Sequence, residues 1–353
     1  MRGARRFLAH ESRSKYTLFQ RKWQGYLKKT AYFWLIICFF VYLHPFFQRE
    51  ESFVSLYKRY AREKWVNMAW YLHNKELGLN NKEQDIFMDK KIKALFFDID
   101  GTLVSFKTHR IPQSTVDALE QAKKNGVEVY ISTGRPKQII NNLGQIEHLI
   151  DGYITANGAR CFVEDTLVSQ HAILPSDVKK IIEAADRDNY PAIVVSESRF
   201  AIHHYTDEVY EIFCKGLGVD SSVFVTDLNR LGDEAILQVT PFCTVEQEAL
   251  LMPTLENCTS GRWHPAFTDI TARGADKGKG LQAMADYLGL NIEETMAFGD
   301  GGNDISIIKK AGVGVAMGNA GDELKQVADY ITTHVDEDGV KNALIKYGVI
   351  AKN

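Results

Sequence analysis

Cysteine is scarce in this chain and carries no pattern. Five occur in 353 residues, Cys38, Cys161, Cys214, Cys243 and Cys258, and none are in CxxC spacing. An odd, scattered set argues against a disulfide framework or a cysteine zinc site, and for reduced thiols in a cytosolic setting. Excess positive charge is also missing: 42 Lys and Arg stand against 45 Asp and Glu, a net charge of −3. That balance excludes a general nucleic-acid binder. There is no internal repeat and no low-complexity tract. The length exceeds one typical domain and is enough to bury a sizeable core.

Residues 1–87 lack glycine almost entirely, with only Gly3, Gly25 and Gly78, yet hold Trp23, Trp34, Trp65 and Trp70. Basic residues crowd the start, among them Arg2, Arg5, Arg6, Arg13, Lys15, Arg21, Lys22, Lys28 and Lys29. Residues 31–47 (AYFWLIICFFVYLHPFF) form one charge-free apolar run. As a helix it would span roughly 25 Å, short of a ~30 Å hydrocarbon core, and Pro45 would disturb its last turn. Three readings stand: a short membrane anchor with its basic side in the cytoplasm, an interfacial helix, or a segment outside the working protein. In the last case synthesis begins at Met88, next to the first core strand. The expected location is the cytoplasm, or a membrane if 31–47 anchors the chain.

The remainder is organised around residues 94–103, ALFFDIDGTL. A short continuous apolar run reads as a strand buried on both faces. Asp98 stands at its C-terminal end, where open α/β sheets bind ligands. Residues two apart in extended chain face one side, so Asp98 and Asp100 can share a pocket, with Gly101 free to turn. Two close carboxylates stay ionised only beside a cation, and a hard ion such as Mg²⁺ suits oxygen ligands. The alternative is a pair of solvated loop acids.

From there strand-like and helix-like stretches alternate. Pro112-Gln113-Ser114 opens a helix through Lys124 with Ser114 as N-cap, and Asn125-Gly126 closes it. Strands are predicted at 127–131 and 152–155, and Pro136 is predicted to open a helix between them. Such units imply a parallel sheet with right-handed crossovers. Between His171 and Arg262 no apolar strand ends in an acid. That stretch reads as an inserted domain at 171–262, dividing a core into 88–170 and 263–353. In the second half, strands are expected at 267–271, 295–298, 313–316 and 330–332, and helices at 277–287, 305–311 and 337–347.

Four loops stand out, each also readable as a plain cap or loop. They are the Asp98/Asp100 pair, Thr133-Gly134, Lys277 opening a helix in DKGKG, and Asp300, Asn303 and Asp304 on a glycine-rich turn. A hydroxyl and a backbone N–H at a helix start make a ready anion site. Together the four suggest a hard-cation and phosphate site with a carboxylate nucleophile. Asp98 would attack phosphorus and Asp100 would act as acid and base. Thr133, Gly134, Lys277 and Asn303 would hold phosphate oxygens. Metal binding would fall to Asp98, Asp100, Asp300 and Asp304.

These residues resemble the four motifs of the haloacid dehalogenase superfamily, in order: FFDIDGTL, STGR, DKGKG and GDGGND. The chain is similar to the Cof-type sugar-phosphatase branch and to Bacteroides-type hexose-phosphate phosphatases, over about residues 88–350. The resemblance implies an α/β fold, with a Rossmann-like parallel-sheet core and an inserted α/β cap domain. It implies Mg²⁺, an aspartyl-phosphate intermediate, and Asn157 of ITANGA near the substrate phosphate. The expected partner is a small phosphorylated metabolite, and the expected state is a monomer. An Asp at position 100 favours fast hydrolysis, hence a phosphatase. A phosphomutase of the same superfamily uses the same pair and stays open, as does a silent membrane-tethered binding protein. Caps in this family supply substrate contacts, for which Glu197, Arg199, His203, His204 and Tyr205 are candidates beside their plainer reading as cap surface or core. Arg262 and Trp263 are expected at the return hinge.

Overall fold

A computed structural model describes residues 91–216 and 218–352. The expectations for the apolar run 31–47 and for a start at Met88 lie outside the described residues. Among the described residues no helix is long and apolar enough to cross a membrane.

The first half of the core contributes β1 (Ala94–Phe97), β2 (Glu128–Ser132), β3 (Gly152–Thr155), β4 (Arg160–Val163) and β5 (Thr166–Gln170). The following stretch gives β6 (Ala192–Ser196), β7 (Phe200–His203), β8 (Phe224–Val225), β9 (Ile236–Pro241), β10 (Cys258–His264) and β11 (Phe267–Ala272). The chain then adds β12 (Thr295–Gly299), β13 (Val313–Ala316) and β14 (Tyr330–Ile331). They form an eight-stranded sheet, ordered β14-β13-β12-β1-β2-β3-β4-β5, and a six-stranded sheet, ordered β10-β11-β9-β6-β7-β8.

In the larger sheet β1 pairs in parallel with β12 and β2, while β4 and β5 are antiparallel additions at one edge. Alternation along β1 sorts its side chains into two layers. Leu95 and Phe97 pack with the helices Gln113–Lys124 and Gly339–Lys346. Ala94 and Phe96 pack on the other face with Leu281, Met284, Ile307 and Ile308 of Lys277–Leu288 and Ile305–Lys310. Stacked rings, Phe97 on Phe298 and Phe96 on Tyr130, hold the central strands in register at 4.6 and 5.0 Å. The result is the α/β architecture expected, a Rossmann-like, largely parallel core. With both faces of β1 covered, the polar residues that follow it stand at its carboxyl end, where open α/β sheets bind ligands.

The chain crosses to the second sheet between His171, whose N–H reaches the Ala159 carbonyl, and Ile173, whose N–H reaches Ile236. One face of that sheet is packed by Ile181, Ala184 and Ala185 of the helix Pro175–Asp188 and by Leu251 of Val245–Leu251. The other face gathers Ile193, Val195 and Phe200 with Ile139 of the core.

Several local expectations differ. The sequence pattern places residues 267–271 in the core after a boundary at Arg262, but β11 pairs with β10 and β9, so the second sheet runs to Ala272. Alternation is the reason: Ile270 faces that sheet's helices and Phe267 its opposite face. Arg262 therefore lies within β10, paired with Glu248 at 2.7 Å, and not at a hinge. Ser114 is not the N-cap. Pro112 occupies that place, its carbonyl accepting the N–H groups of Thr115 and Val116. Pro136 opens only a single 3-10 turn, Lys137–Ile139, because its ψ of 151° keeps the chain extended. The side chains that follow serve contacts instead: Gln138 and Asn141 reach the second sheet's loops and Asn142 reaches Asp100.

Candidate active site

Asp98 ends β1 and is 8 % exposed. Its N–H donates to the Phe298 carbonyl, which carries the parallel ladder one residue past the strand and fixes the side chain at the sheet's carboxyl edge. The chain then folds back, with the N–H groups of Leu103 and Val104 both donating to the Ile99 carbonyl. Gly101 takes φ 89° in this turn, and a Cβ there would collide with the Asp300 carboxylate. Only glycine lets the two acidic loops approach this closely.

Lys277 starts the helix Lys277–Leu288, which Asp276 caps through the Lys279 N–H at 2.8 Å. The ammonium is 1 % exposed. It lies 2.7 Å from Asp98 Oδ1 and 2.6 Å from Asp304 Oδ1, bridging the first and fourth loops. Burial opposes its charge, but the two carboxylates overcome that and raise its pKa above the usual lysine range. Asp304 Oδ2 accepts the N–H groups of Asp300 and Gly301, both at 3.0 Å. This acid therefore shapes the fourth loop and anchors Lys277. Asp300 accepts the Thr102 hydroxyl at 3.1 Å.

Asp98, Asp300 and Asp304 present carboxylate oxygens within 4.8 Å of one another. Three acids face one ammonium, and two of them, Asp98 and Asp300, are raised above the usual carboxylate range. Burial, then Asp304, pushes Asp300 up to about 7. Asp98 is raised well above the carboxylate range by burial, against the pull of Lys277 and with Asp304 and Asp300 adding to the rise. An all-oxygen, electron-rich cluster of this kind fits a hard divalent cation.

Asp100 faces the second loop. Arg135 grips it with two parallel bonds, Nε to Oδ2 at 2.7 Å and Nη2 to Oδ1 at 2.9 Å, and Asn142 adds a contact at 3.4 Å. Thr133 is 1 % exposed, and its Oγ1 accepts the Arg135 N–H at 3.0 Å. Its own hydroxyl proton is thus left to donate. Gly134 lies against two amides: a Cβ there would stand 3.2 Å from Asn157 Oδ1 and 3.4 Å from Asn303 Nδ2. Asn303 Nδ2 donates to Asn157 Oδ1 at 3.0 Å. Ala156 and Asn157 both take positive φ, 48° and 54°, to place that amide.

The structure thus gathers Asp98, Asp100, Thr133, Gly134, Asn157, Lys277, Asp300, Asn303 and Asp304 at one sheet edge. Sequence reasoning gave no role to Arg135, Thr102 or Asn319. Asn319 Nδ2 donates to the Gly101 carbonyl at 2.8 Å, and its Oδ1 accepts the Val335 N–H. Its signal was Gly318-Asn319 just past β13, a further strand-end loop. Of the cap candidates, Glu197 reaches the core: its carboxylate accepts Gln170 Nε2 at 2.5 Å, and its carbonyl accepts Arg160 Nη1 at 2.7 Å and Gln138 Nε2 at 3.0 Å. Arg199 pairs with Glu234 at 3.3 Å, and His203 and His204 turn to Asp186.

Comparison with known proteins agrees with this geometry. The model of the haloacid dehalogenase-like hydrolase family matches residues 95–344. The HAD subclass IIB sugar phosphatase BT4131 shares 46 % identity and a TM-score of 0.68, over 73 % of this chain and 100 % of that one. The phosphatase BT1666 from Bacteroides thetaiotaomicron shares 36 % identity and a TM-score of 0.67, over 74 % and 97 %. The 5-amino-6-(5-phospho-D-ribitylamino)uracil phosphatase YitU of Bacillus subtilis is 30 % identical over 275 residues, 74 % of this chain and 99 % of that protein. The chain belongs to the haloacid dehalogenase-like hydrolases and is a phosphoric monoester hydrolase.

Proposed function

We propose that the protein is a Mg²⁺-dependent phosphatase of small sugar phosphates, hexose phosphates foremost, working through an aspartyl phosphate on Asp98. The observation that carries this reading is the buried Asp98–Lys277–Asp304 bridge at the carboxyl edge of the parallel sheet. The sugar class is supported by the 46 % identity to a sugar phosphatase over that protein's whole length.

Lys277 occupies Asp98 Oδ1, so Oδ2 is the attacking atom. It forms a bond to phosphorus as the ester P–O bond breaks, and Asp100 gives its proton to the leaving oxygen. Asp100 then takes a proton from water, which attacks the acyl phosphate. The P–O bond to Asp98 breaks, and inorganic phosphate leaves with the carboxylate restored. Both Asp100 oxygens rest on Arg135 here, so Arg135 sets where that proton is delivered and must yield part of its grip during transfer. Thr133 Oγ1, the Gly134 N–H, Lys277 and Asn303 hold the oxygens on which charge develops, with Asn157 steadying Asn303. Asp98, the Asp100 carbonyl and Asp300 would hold Mg²⁺ with Asp304 beside them, and the bound ion would neutralise phosphate and surplus carboxylate charge. Glu197 and its hairpin close the cap over the site and exclude water.

The test is phosphate release from a panel of hexose, pentose and pentitol phosphates with Mg²⁺, comparing wild type with Asp98→Asn. The expected result is turnover of a hexose phosphate that falls by orders of magnitude in the variant. Full activity in Asp98→Asn would remove the nucleophile assignment, and turnover confined to other esters would remove the substrate class.

A further inference from the structure

Neighbouring residues of an extended strand point to opposite faces. His203 closes β7, and His204 follows at φ 58°, in the left-handed region. That turn brings both imidazoles to one side, their centroids 3.9 Å apart and their planes at 25°. Each ring then aims its Nε2 at the same atom. His203 Nε2 is 2.7 Å and His204 Nε2 is 3.2 Å from Asp186 Oδ1, in the last turn of the helix Pro175–Asp188. A single imidazole would have satisfied this carboxylate in a simple pair. Drawing the second one in requires a left-handed backbone conformation that disfavours residues other than glycine.

We propose that Asp186, His203 and His204 form a second metal site, on the cap, for a borderline divalent ion of the zinc type. The three donor atoms lie within 4.8 Å of one another. A tetrahedral ion with bonds of about 2.0–2.2 Å needs donors about 3.3 Å apart. The His204–Asp186 separation of 3.2 Å already meets that. His203 and Asp186 must part by about half an ångström and the rings must tilt out of their stack. Side chains 20 %, 36 % and 55 % exposed have the freedom to do so. Imidazole nitrogen selects against Mg²⁺ and Ca²⁺, which take oxygen ligands, and favours Zn²⁺ with Ni²⁺ and Cu²⁺ as competitors. The cluster at Asp98, Asp300 and Asp304 offers oxygen only, so the two places sort ions by hardness. Three protein ligands leave the fourth position to water. The bound ion ties the end of the Pro175–Asp188 helix to the end of β7 and stiffens the cap.

The test is calorimetric titration of Zn²⁺ into the metal-stripped full chain, in excess Mg²⁺ to occupy the oxygen cluster. Wild type is compared with the double variant His203→Ala/His204→Ala and with Asp186→Asn. Loss of groups beyond the first ligand shell costs about 10–100-fold in metal affinity elsewhere, so loss of a ligand should cost at least about tenfold. We expect wild type to bind one Zn²⁺ more per chain than the double variant, and Asp186→Asn to bind it at least about tenfold more weakly. Zn²⁺ should also raise the unfolding temperature of wild type more than that of either variant. Coincident circular dichroism without metal establishes that the variants are folded; if the double variant is not, His204→Gln decides in its place. Equal stoichiometry and affinity in wild type and folded variants would overturn the site.

Discussion

Replacing Lys277 by Met separates the electrostatic from the packing contribution of the most buried charge at the site. Met has similar volume and leaves little cavity, so the change removes the ammonium and little else. In the wild type that ammonium sits 2.7 and 2.6 Å from two carboxylates, and all three side chains are at most 10 % exposed. Taking one partner from a buried ion pair costs about 3–5 kcal/mol, because the remaining charge is stranded. Here two charges are stranded, and protonation offsets part of the loss. Counting Asp98, Asp300 and Asp304 against Lys277, the formal charge of the cluster moves from −2 to −3. Chemical denaturation without divalent ions should therefore show a loss of about 3–5 kcal/mol at neutral pH. The loss should shrink at lower pH as the stranded acids take up protons. Added Mg²⁺ should stabilise the variant more than wild type, since binding to the folded state alone adds stability by mass action. Turnover at saturating Mg²⁺ should fall about 10²–10³-fold, the usual effect of losing one donor to transition-state charge. Wild-type stability without Mg²⁺, together with identical Mg²⁺ increments in both proteins, would refute the charge-surplus reasoning.

Asp177 offers a test within the cap. Burial alone would raise its pKa, but the N–H groups of Glu256 and Asn257, the Cys258 thiol and Lys180 hold it below the usual carboxylate value. Its folded pKa is thus lower than its unfolded one, so its contribution is complete above about pH 4 and is lost as pH falls through the folded value. Asp177→Ala should cost about 2–4 kcal/mol at neutral pH and flatten the acid limb of the stability curve. An unchanged acid limb would show that the carboxylate is idle. Arg135→Lys keeps the charge but loses the two-bond grip on Asp100. If Arg135 orients Asp100 as the proposed mechanism requires, turnover should fall by about 10–100-fold with KM nearly unchanged. A selective rise in KM would make Arg135 a substrate-binding residue instead.

The core strands were legible because their burial is two-sided. ALFF, TMAF and VGVA are short apolar runs closed by turn residues, and nothing else in the chain competes with a buried strand there. Where burial is one-sided or partial, the signal failed. β4 and β5 carry Arg160, Thr166, Ser169 and Gln170, and their turn uses Glu164 at φ 48° without a glycine to mark it. β10 is an edge strand with Thr259, Ser260, Gly261 and Arg262 in succession, which reads as loop. The end of the second sheet is hidden for the opposite reason. Phe267–Ala272 is buried throughout, like a core strand, and only its partners show which sheet it joined.

The site was legible where one residue type does the chemistry and illegible where the fold recruits a common one. Asp98, Asp100, Lys277 and Asp300 announce themselves because acids just past strand ends and a lysine opening a helix have no packing reason to be there. Arg135 and Asn319 are ordinary loop residues in sequence, and their importance comes from what lies opposite after folding. Asn319 is separated from Gly101 by 218 positions, yet it holds that turn's carbonyl from one side while Asp300 crowds it from the other. The turn at Gly101 is therefore a junction of three strand-end loops, after β1, β12 and β13. The acid pair cannot move independently of any of them. That coupling explains why a glycine sits there and why Thr102, one residue on, donates to Asp300: the loop that carries Asp98 is registered directly on the loop that carries Asp300.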